Sequence, residues 1–250
     1  MLTEERQQII LEQLKIHNIV KLHDLMPLTG ASESTLRRDL QDLENCHKLL
    51  RIHGGAQNVI SLHEEPAVSQ KATVHLDEKK AIGRAAAGQV RNQEVIFLDS
   101  GSTVQFMIPY LIEHKDLLVI TNSVDNASML ADYDIDTFLP GGKLKSSTKA
   151  LVGSTMVQTL ETYHFDKCFL GTNGFSIDSG YTTPDPEESA IKHLVLQQSN
   201  QVFILSDNSK YCQVSFSKFA DLKDATLITN ELPAKESGLL NKKAKIMEVN

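Results

Sequence analysis

Ser34, Arg37, Arg38 and Gln41 stand at i, i+3, i+4 and i+7 in the string SESTLRRDLQDLEN. On a helix that spacing gathers four hydrogen-bonding side chains on one face. Paired arginines on such a face suit the major groove of a duplex. One guanidinium takes the O6 and N7 of guanine bidentately, the other clamps a phosphate, and serine and glutamine reach base edges or backbone oxygens. Leu36, Leu40 and Leu43 repeat at i, i+4 and i+7 on the other side and predict the buried stripe. Ser32 is placed to cap this helix, predicted from Glu33 to about Asn45.

Three further elements must hold that helix in place. Acidic residues after Thr3 and the stripe Ile9, Ile10, Leu11 and Leu14 predict a first helix to about Lys15, broken at Asn18. Ile19–Leu22 reads as a short strand and Leu22–Thr29 as a second helix that Pro27 shortens or kinks. Gly30-Ala31-Ser32 makes the turn. Beyond the third helix, LLRIHGGA (49–56) reads as strand, Gly-Gly turn and strand, a β-wing carrying Arg51 and His53 to the phosphate backbone or the minor groove. The charge of this region is low, seven basic against eight acidic side chains over residues 1–56. On charge alone a solvated three-helix interaction module accounts for it equally well.

A second chemistry sits further along. Short Val/Ile/Leu/Phe runs alternate with helical stretches after Lys79, the signature of a mostly parallel sheet with helices on both faces. Strands are predicted at 95–99, 117–121, 136–140, 167–171, 201–207 and 226–229, and helices at 79–90, 104–111, 124–130, 155–162 and 187–198. Ligands of such sheets meet the carboxyl ends of the strands. There the sequence places Asp99-Ser100-Gly101-Ser102-Thr103, Thr121-Asn122-Ser123, Gly141-Gly142-Lys143, Gly171-Thr172-Asn173-Gly174 and Leu205-Ser206-Asp207-Asn208-Ser209-Lys210. Glycine, hydroxyls and backbone N–H groups make an anion cradle, although an ordinary helix cap also explains the Ser-Gly-Ser-Thr turn. A phosphorylated sugar needs hydroxyl and backbone donors, one or two cations, and carboxylates or amides for its own hydroxyls. Glu188 and Lys192, four apart, have the spacing of a surface ion pair.

The string at 32–44 and the following LLRIHGGA resemble the winged helix-turn-helix of the DeoR family of bacterial transcriptional regulators, with matches at Ser32, Thr35, Leu36, Arg37, Arg38, Asp39 and Leu40. Pro27 departs from the regular helix of that family. The likeness continues to about residue 233 through EKKAIGRAAA (78–87), IFLDSGST (96–103), VITNS (119–123), LPGGKL (139–144), LVGSTM (151–156), DKCFLGTNGFS (166–176), GYTTPDPEESAIK (180–192) and LSDNSKY (205–211).

The resemblance implies an α/β chain in three parts. These are a winged helix-turn-helix over 1–56, a linker over 57–78, and over 79–250 a sugar-phosphate sensor similar in fold to ribose-5-phosphate isomerase and glucosamine-6-phosphate deaminase. It assigns DNA contacts to Ser32, Ser34, Thr35, Arg37, Arg38, Gln41, Arg51 and His53. Phosphate falls to Ser100, Gly101, Ser102 and Thr103, and further effector contacts to Asp99, Asn122, Asn173, Asp185, Glu187 and Lys210. The DPEE segment (185–188) and the start MLTEERQQIIL (1–11) look most like fructose-operon repressors of Gram-positive bacteria, which implies fructose 1-phosphate as effector. The implied partners are double-stranded operator DNA and a second or further copies of the chain, in a homodimer or homotetramer.

Several classes are disfavoured. The chain has 250 residues, a net charge of −7 and 41% hydrophobic residues, a globular composition that argues against a general polyanion binder. No apolar run spans a bilayer and no signal core opens the chain, so a cytoplasmic protein without a membrane partner is expected. Cys46, Cys168 and Cys212 are odd in number and far apart, and are expected as buried or half-buried thiols. No HExxH, Walker A loop, G-x-S-x-G or G-x-G-x-x-G is present, and neither a metal, a cofactor nor a catalytic residue is expected. The competing description is a phosphosugar isomerase or deaminase with an added N-terminal module, using Asp99, Asp185 or Glu187 as base. Turnover of fructose, tagatose or glucosamine phosphates separates the two.

Overall fold

The computed structural model describes the chain except residues 1, 18, 47, 59–61, 63–66, 233–237, 239 and 250. The break expected at Asn18, and Pro66 in the expected linker, lie outside the described residues. Two compact units divide the chain, Met1–Ser61 and Leu62–Asn250.

The first unit runs α1 (Thr3–His17), β1 (Ile19–Lys21), α2 (Leu22–Thr29), α3 (Glu33–Asn45), β2 (Leu49–Ile52) and β3 (Gly55–Asn58). Its antiparallel sheet has the order β1-β3-β2. Ile10, Leu14, Leu25, Leu36, Leu40 and Leu43 close one core, as the periodicity of α1 and α3 requires. Pro27 sits inside α2 without shortening it. Only the N–H that proline lacks is lost there, and Gly30, at φ 64°, ends the helix by donating to the Met26 carbonyl at 2.9 Å. The turn of the wing is His53-Gly54 rather than Gly-Gly, because Gly55 already belongs to β3. A Cβ at Gly55 would stand 2.0 Å from the Val20 carbonyl oxygen, so only glycine lets β1 lie this close.

One ion pair of this unit escaped the sequence reading. Arg6 of α1 meets Asp39 of α3 through Nε–Oδ2 at 2.5 Å and Nη2–Oδ1 at 2.8 Å. Asp39 is 2% exposed, so the acidic residue that follows the paired arginines faces inward.

The second unit begins with α4 (Val68–Lys71) and α5 (Leu76–Ala87), followed by β4 (Val95–Leu98), α6 (Ser102–Gln105), α7 (Ile108–Leu111), β5 (Leu118–Thr121), α8 (Val124–Asp132), β6 (Asp136–Phe138), β7 (Lys143–Leu144), β8 (Leu151–Val152) and α9 (Ser154–Leu160). It continues with β9 (Phe165–Gly171), β10 (Gly174–Ser176), β11 (Gly180–Thr183), α10 (Pro186–Gln197), β12 (Ser199–Leu205), β13 (Ser217–Ala220), β14 (Thr226–Asn230) and β15 (Lys245–Val249). Thus the end of β3, all of α4 and the start of α5 fall inside 57–78, the span expected as a linker.

The six predicted strands join β15 in a seven-stranded parallel sheet, β15-β14-β12-β9-β4-β5-β6. Its two faces are read by alternation. Ile96, Leu98, Phe169 and Phe203 pack beneath α5, α7 and α8, while Phe97, Cys168, Leu170 and Ile204 pack beneath α9 and α10. The helix expected over 104–111 is two short ones, since Pro109 supplies no N–H at its position. The hairpin β7–β8 and the antiparallel sheet β10-β11-β13 were not expected. Cys168 is buried, whereas Cys46 and Cys212 are exposed, correcting the expectation for those two.

Candidate nucleic-acid interface and effector site

The face of α3 forms as its spacing requires. Ser34, Arg37 and Arg38 are exposed and Gln41 is half-buried. Ser32 Oγ accepts the Thr35 N–H at 3.3 Å and lies 3.0 Å and 2.9 Å from the hydroxyls of Ser34 and Thr35, so these three residues form the cap of the helix. Arg37 is paired with Glu33 across one turn, at 2.5 Å, with both side chains about half exposed. An exposed pair of that kind is worth little in water, about 0.3–0.5 kcal/mol, so Arg37 can exchange Glu33 for guanine or phosphate. Arg38 is exposed and has no hydrogen-bond or ion-pair partner among the described residues. Arg51, expected on the wing beside the phosphate backbone or the minor groove, donates to Gln41 Oε1, while its backbone N–H donates to Glu44 at 2.8 Å. His53 stays exposed in the wing turn.

In the second unit the chain leaves β4 toward β5 and β6, and leaves β9 in the opposite direction toward β12, β14 and β15. The loops after β4 and β9 therefore diverge, the switch point at which open α/β sheets bind ligands. Gly101 and Gly171 face each other across it, and a Cβ on Gly101 would stand 3.1 Å from the Gly171 Cα. The close approach that Gly101 permits is thus to another backbone. Gly101 makes no side-chain cap for α6, and Ser100, Ser102 and Thr103, each 6–8% exposed, have hydroxyls with no hydrogen-bond partner among the described residues.

Asp99 differs from its neighbours. Its Oδ2 accepts the Gly171 N–H at 2.9 Å and the ammonium of Lys192, which also donates to the Gly171 carbonyl at 3.1 Å and lies 5.6 Å from the Phe219 ring centre. Lys192 and Glu188 are each 4% exposed. They are no surface ion pair: Glu188 accepts from Thr148 at 2.7 Å and Lys145 at 3.1 Å, facing the β7–β8 hairpin. An apolar Ile191 and Val195 on the same helix are the signal that α10 turns this side inward.

The remaining predicted contacts form two flanking groups. Asn122, 1% exposed, carries an Oδ1 with no hydrogen-bond partner among the described residues, and Asn173 Oδ1 accepts from Thr183 at 3.2 Å. Asp185 caps α10 and pairs with Lys145 at 2.5 Å, and Glu187 meets Lys143 at 3.4 Å, so both carboxylates face the hairpin rather than the Asp99 loop. Burial pushes the Asp185 carboxyl up, but the Lys145 ammonium and two helix N–H groups outweigh it and hold the group below the usual range. After β12, burial likewise pushes Asp207 up while Lys210, the Ser209 hydroxyl, His75 and Lys79 bring it below the usual range. Lys79, absent from the expected contacts, is 4% exposed, and burial pulls it down to about 8 against the attraction of Asp207.

A groove of 510 Å³ lined by Lys80, Arg84, Tyr110 and Val249 runs beside α5, apart from these loops, and no predicted contact lines it. Among the described residues no group of three or more His, Cys, Asp or Glu side chains is arranged for a metal ion, and no helix is long and apolar enough to cross a membrane.

Residues 6–61 match the DeoR-like helix-turn-helix domain, and residues 74–231 match the DeoR C-terminal sensor domain. The chain belongs to the DeoR family of transcriptional regulators. This DeoR-family chain is 41% identical over 231 residues to the uncharacterized HTH-type transcriptional regulator FruR of Bacillus subtilis, covering 92% of both chains. It is 36% identical over 236 residues to the HTH-type transcriptional repressor GlcR of the same organism, covering 93% of this chain and 90% of that one. Among solved structures, a ribose 5-phosphate isomerase from Plasmodium falciparum aligns with a TM-score of 0.40 at 20% identity, over 54% of this chain and 52% of that one. The family makes the chain a DNA-binding regulator rather than an enzyme.

Proposed function

We propose that this regulator is a repressor that sits on a sugar-utilisation operator and leaves it when a phosphorylated sugar binds the sensor unit. The observation that carries the DNA half is the capped α3 with Ser34, Arg37 and Arg38 exposed on one face. A homodimer or homotetramer presents two such helices at half-sites about 34–36 Å apart, or a multiple of that. The effector enters at the switch point, with the unpaired hydroxyls of Ser100, Ser102 and Thr103 as donors to phosphate. Asn122 and Asn173 serve its hydroxyls, and Lys210 with Asp207 lies in the turn that follows the neighbouring strand β12. Asp99 holds Lys192 and the Gly171 N–H through Oδ2. The likeness of residues 185–188 and 1–11 to fructose-operon repressors favours fructose 1-phosphate. An effector loosens DNA only by its differential affinity for the two arrangements, about 1–3 kcal/mol of coupling.

Two outcomes test this. Arg37→Ala and Arg38→Ala should each weaken binding to a duplex selected from a random pool by the full chain, by about 1–3 kcal/mol for a lost base contact. Gel shifts unchanged in both variants refute the assignment of α3. Lys210→Ala should bind that duplex as the parent does but fail to release it when fructose 1-phosphate, fructose 6-phosphate or glucosamine 6-phosphate is added. Release identical to the parent refutes the strand-end site, and a parent chain that answers none of the three sugars refutes the effector class.

A further inference from the structure

Helix α3 carries Glu33, Asp39, Asp42 and Glu44, an unfavourable set for an element that approaches phosphates. Two of these are already explained, since Glu33 holds Arg37 and Asp39 holds Arg6. Glu44 holds the wing. Its Oε1 accepts the backbone N–H of Arg51 at 2.8 Å, and its Oε2 accepts the Gln41 amide at 3.3 Å. The same amide donates to Asn45 at 3.1 Å, leaving Gln41 Oε1 turned to the Arg51 guanidinium. The polar atoms of Gln41 are therefore spent within the protein rather than offered to a base.

We infer that Glu44 is a positioning residue for DNA recognition: through the Arg51 backbone and Gln41 it draws the first wing strand onto the C-terminal half of α3, so that Arg51 joins Arg37 and Arg38 as a third arginine along the recognition helix. Gln41 follows Arg38 by three residues on the exposed face, and a guanidinium fixed beside it extends that row by one turn. A planar guanidinium keeps donors free after one hydrogen bond, so Arg51 reaches a phosphate while it remains tied to Gln41. The inference rests on the reading that this face of α3 meets DNA, which Arg37→Ala tests by itself.

The sign of one effect decides the matter. A carboxylate that merely repels phosphates tightens DNA binding when removed, whereas a carboxylate that positions an arginine weakens it. Full-length Glu44→Ala should bind the selected duplex about tenfold more weakly, and its plot of log affinity against log salt should lose about one counterion from its slope. Glu44→Gln keeps an oxygen for the Arg51 N–H and should restore both quantities. In an Arg51→Ala background, Glu44→Ala should no longer weaken binding. Hydrogen exchange at the amides of α3 reports folding separately, and equal protection in parent and variant is expected. Tighter or unchanged binding by Glu44→Ala, failure of Glu44→Gln to restore it, or equal weakening in the Arg51→Ala background overturns the inference. If Arg37→Ala also leaves binding untouched, the reading of the face fails with it; if Arg37→Ala weakens binding, only the role of Glu44 falls.

Discussion

Arg6→Ala in the full chain is expected to unfold the N-terminal unit in a large fraction of molecules and to remove duplex binding with it. Asp39 is 2% exposed and its carboxylate meets Arg6 through both oxygens. Removing one partner of such a pair leaves a buried charge uncompensated and costs about 3–5 kcal/mol. A unit of this size has little to spare, since about 0.05–0.15 kcal/mol per residue amounts to only roughly 3–9 kcal/mol for the whole of it. Hydrogen exchange at Leu36–Leu43 measures the loss directly, and protection equal to the parent would falsify the expectation. Replacing both partners, Arg6→Met with Asp39→Leu, removes the uncompensated charge and should recover most of the protection, because an apolar pair is often as stable as a buried ionic one.

Lys192→Met is expected to do to the second unit what Arg6→Ala does to the first. It strands the Asp99 carboxylate at the switch point, with the Gly171 N–H as its remaining partner among the described residues. A loss of about 3 kcal/mol lowers the melting temperature of a unit of this length by roughly 6–12 °C. Calorimetry reads this, and a shift below about 2 °C would show that the pair contributes little. Adding Asp99→Asn to Lys192→Met should return part of the difference, since an amide is far cheaper to bury than a bare charge.

These two pairs mark where the sequence stops being legible. Local periodicity gave α3 its limits at Glu33 and Asn45 and its core residues Leu36, Leu40 and Leu43, because a helix places neighbours by a fixed rotation per residue. The short unbroken apolar run Val95–Leu98 likewise made β4 readable, since a strand covered on both faces is apolar throughout. Arg6 and Asp39 are 33 residues apart, and Lys192 and Asp99 are 93 apart. Nothing in their spacing announces a partner: Asp99 reads as an effector contact or a base, and Lys192 as half of a local pair. Lys192 misled most, since Glu188 one turn before it offers a local alternative that the fold declines. The strands β10 and β7 escaped for a different reason: three and two residues are too few for any period to show. Arg51 was placed in the wing correctly, but its direction depends on Gln41 and Glu44, which no pattern in the wing contains.

The joint between α6 and α7 packs against α5 without cushioning. A Cβ on Gly83 would stand 2.6 Å from the Phe106 carbonyl carbon and oxygen, so the two main chains touch where most helices are separated by side chains. Side chains absorb small displacements by changing rotamer, and here there is none to change. The segment that starts at Ser102 therefore has no slack. A displacement there meets the main chain of the twelve-residue α5 directly at Gly83.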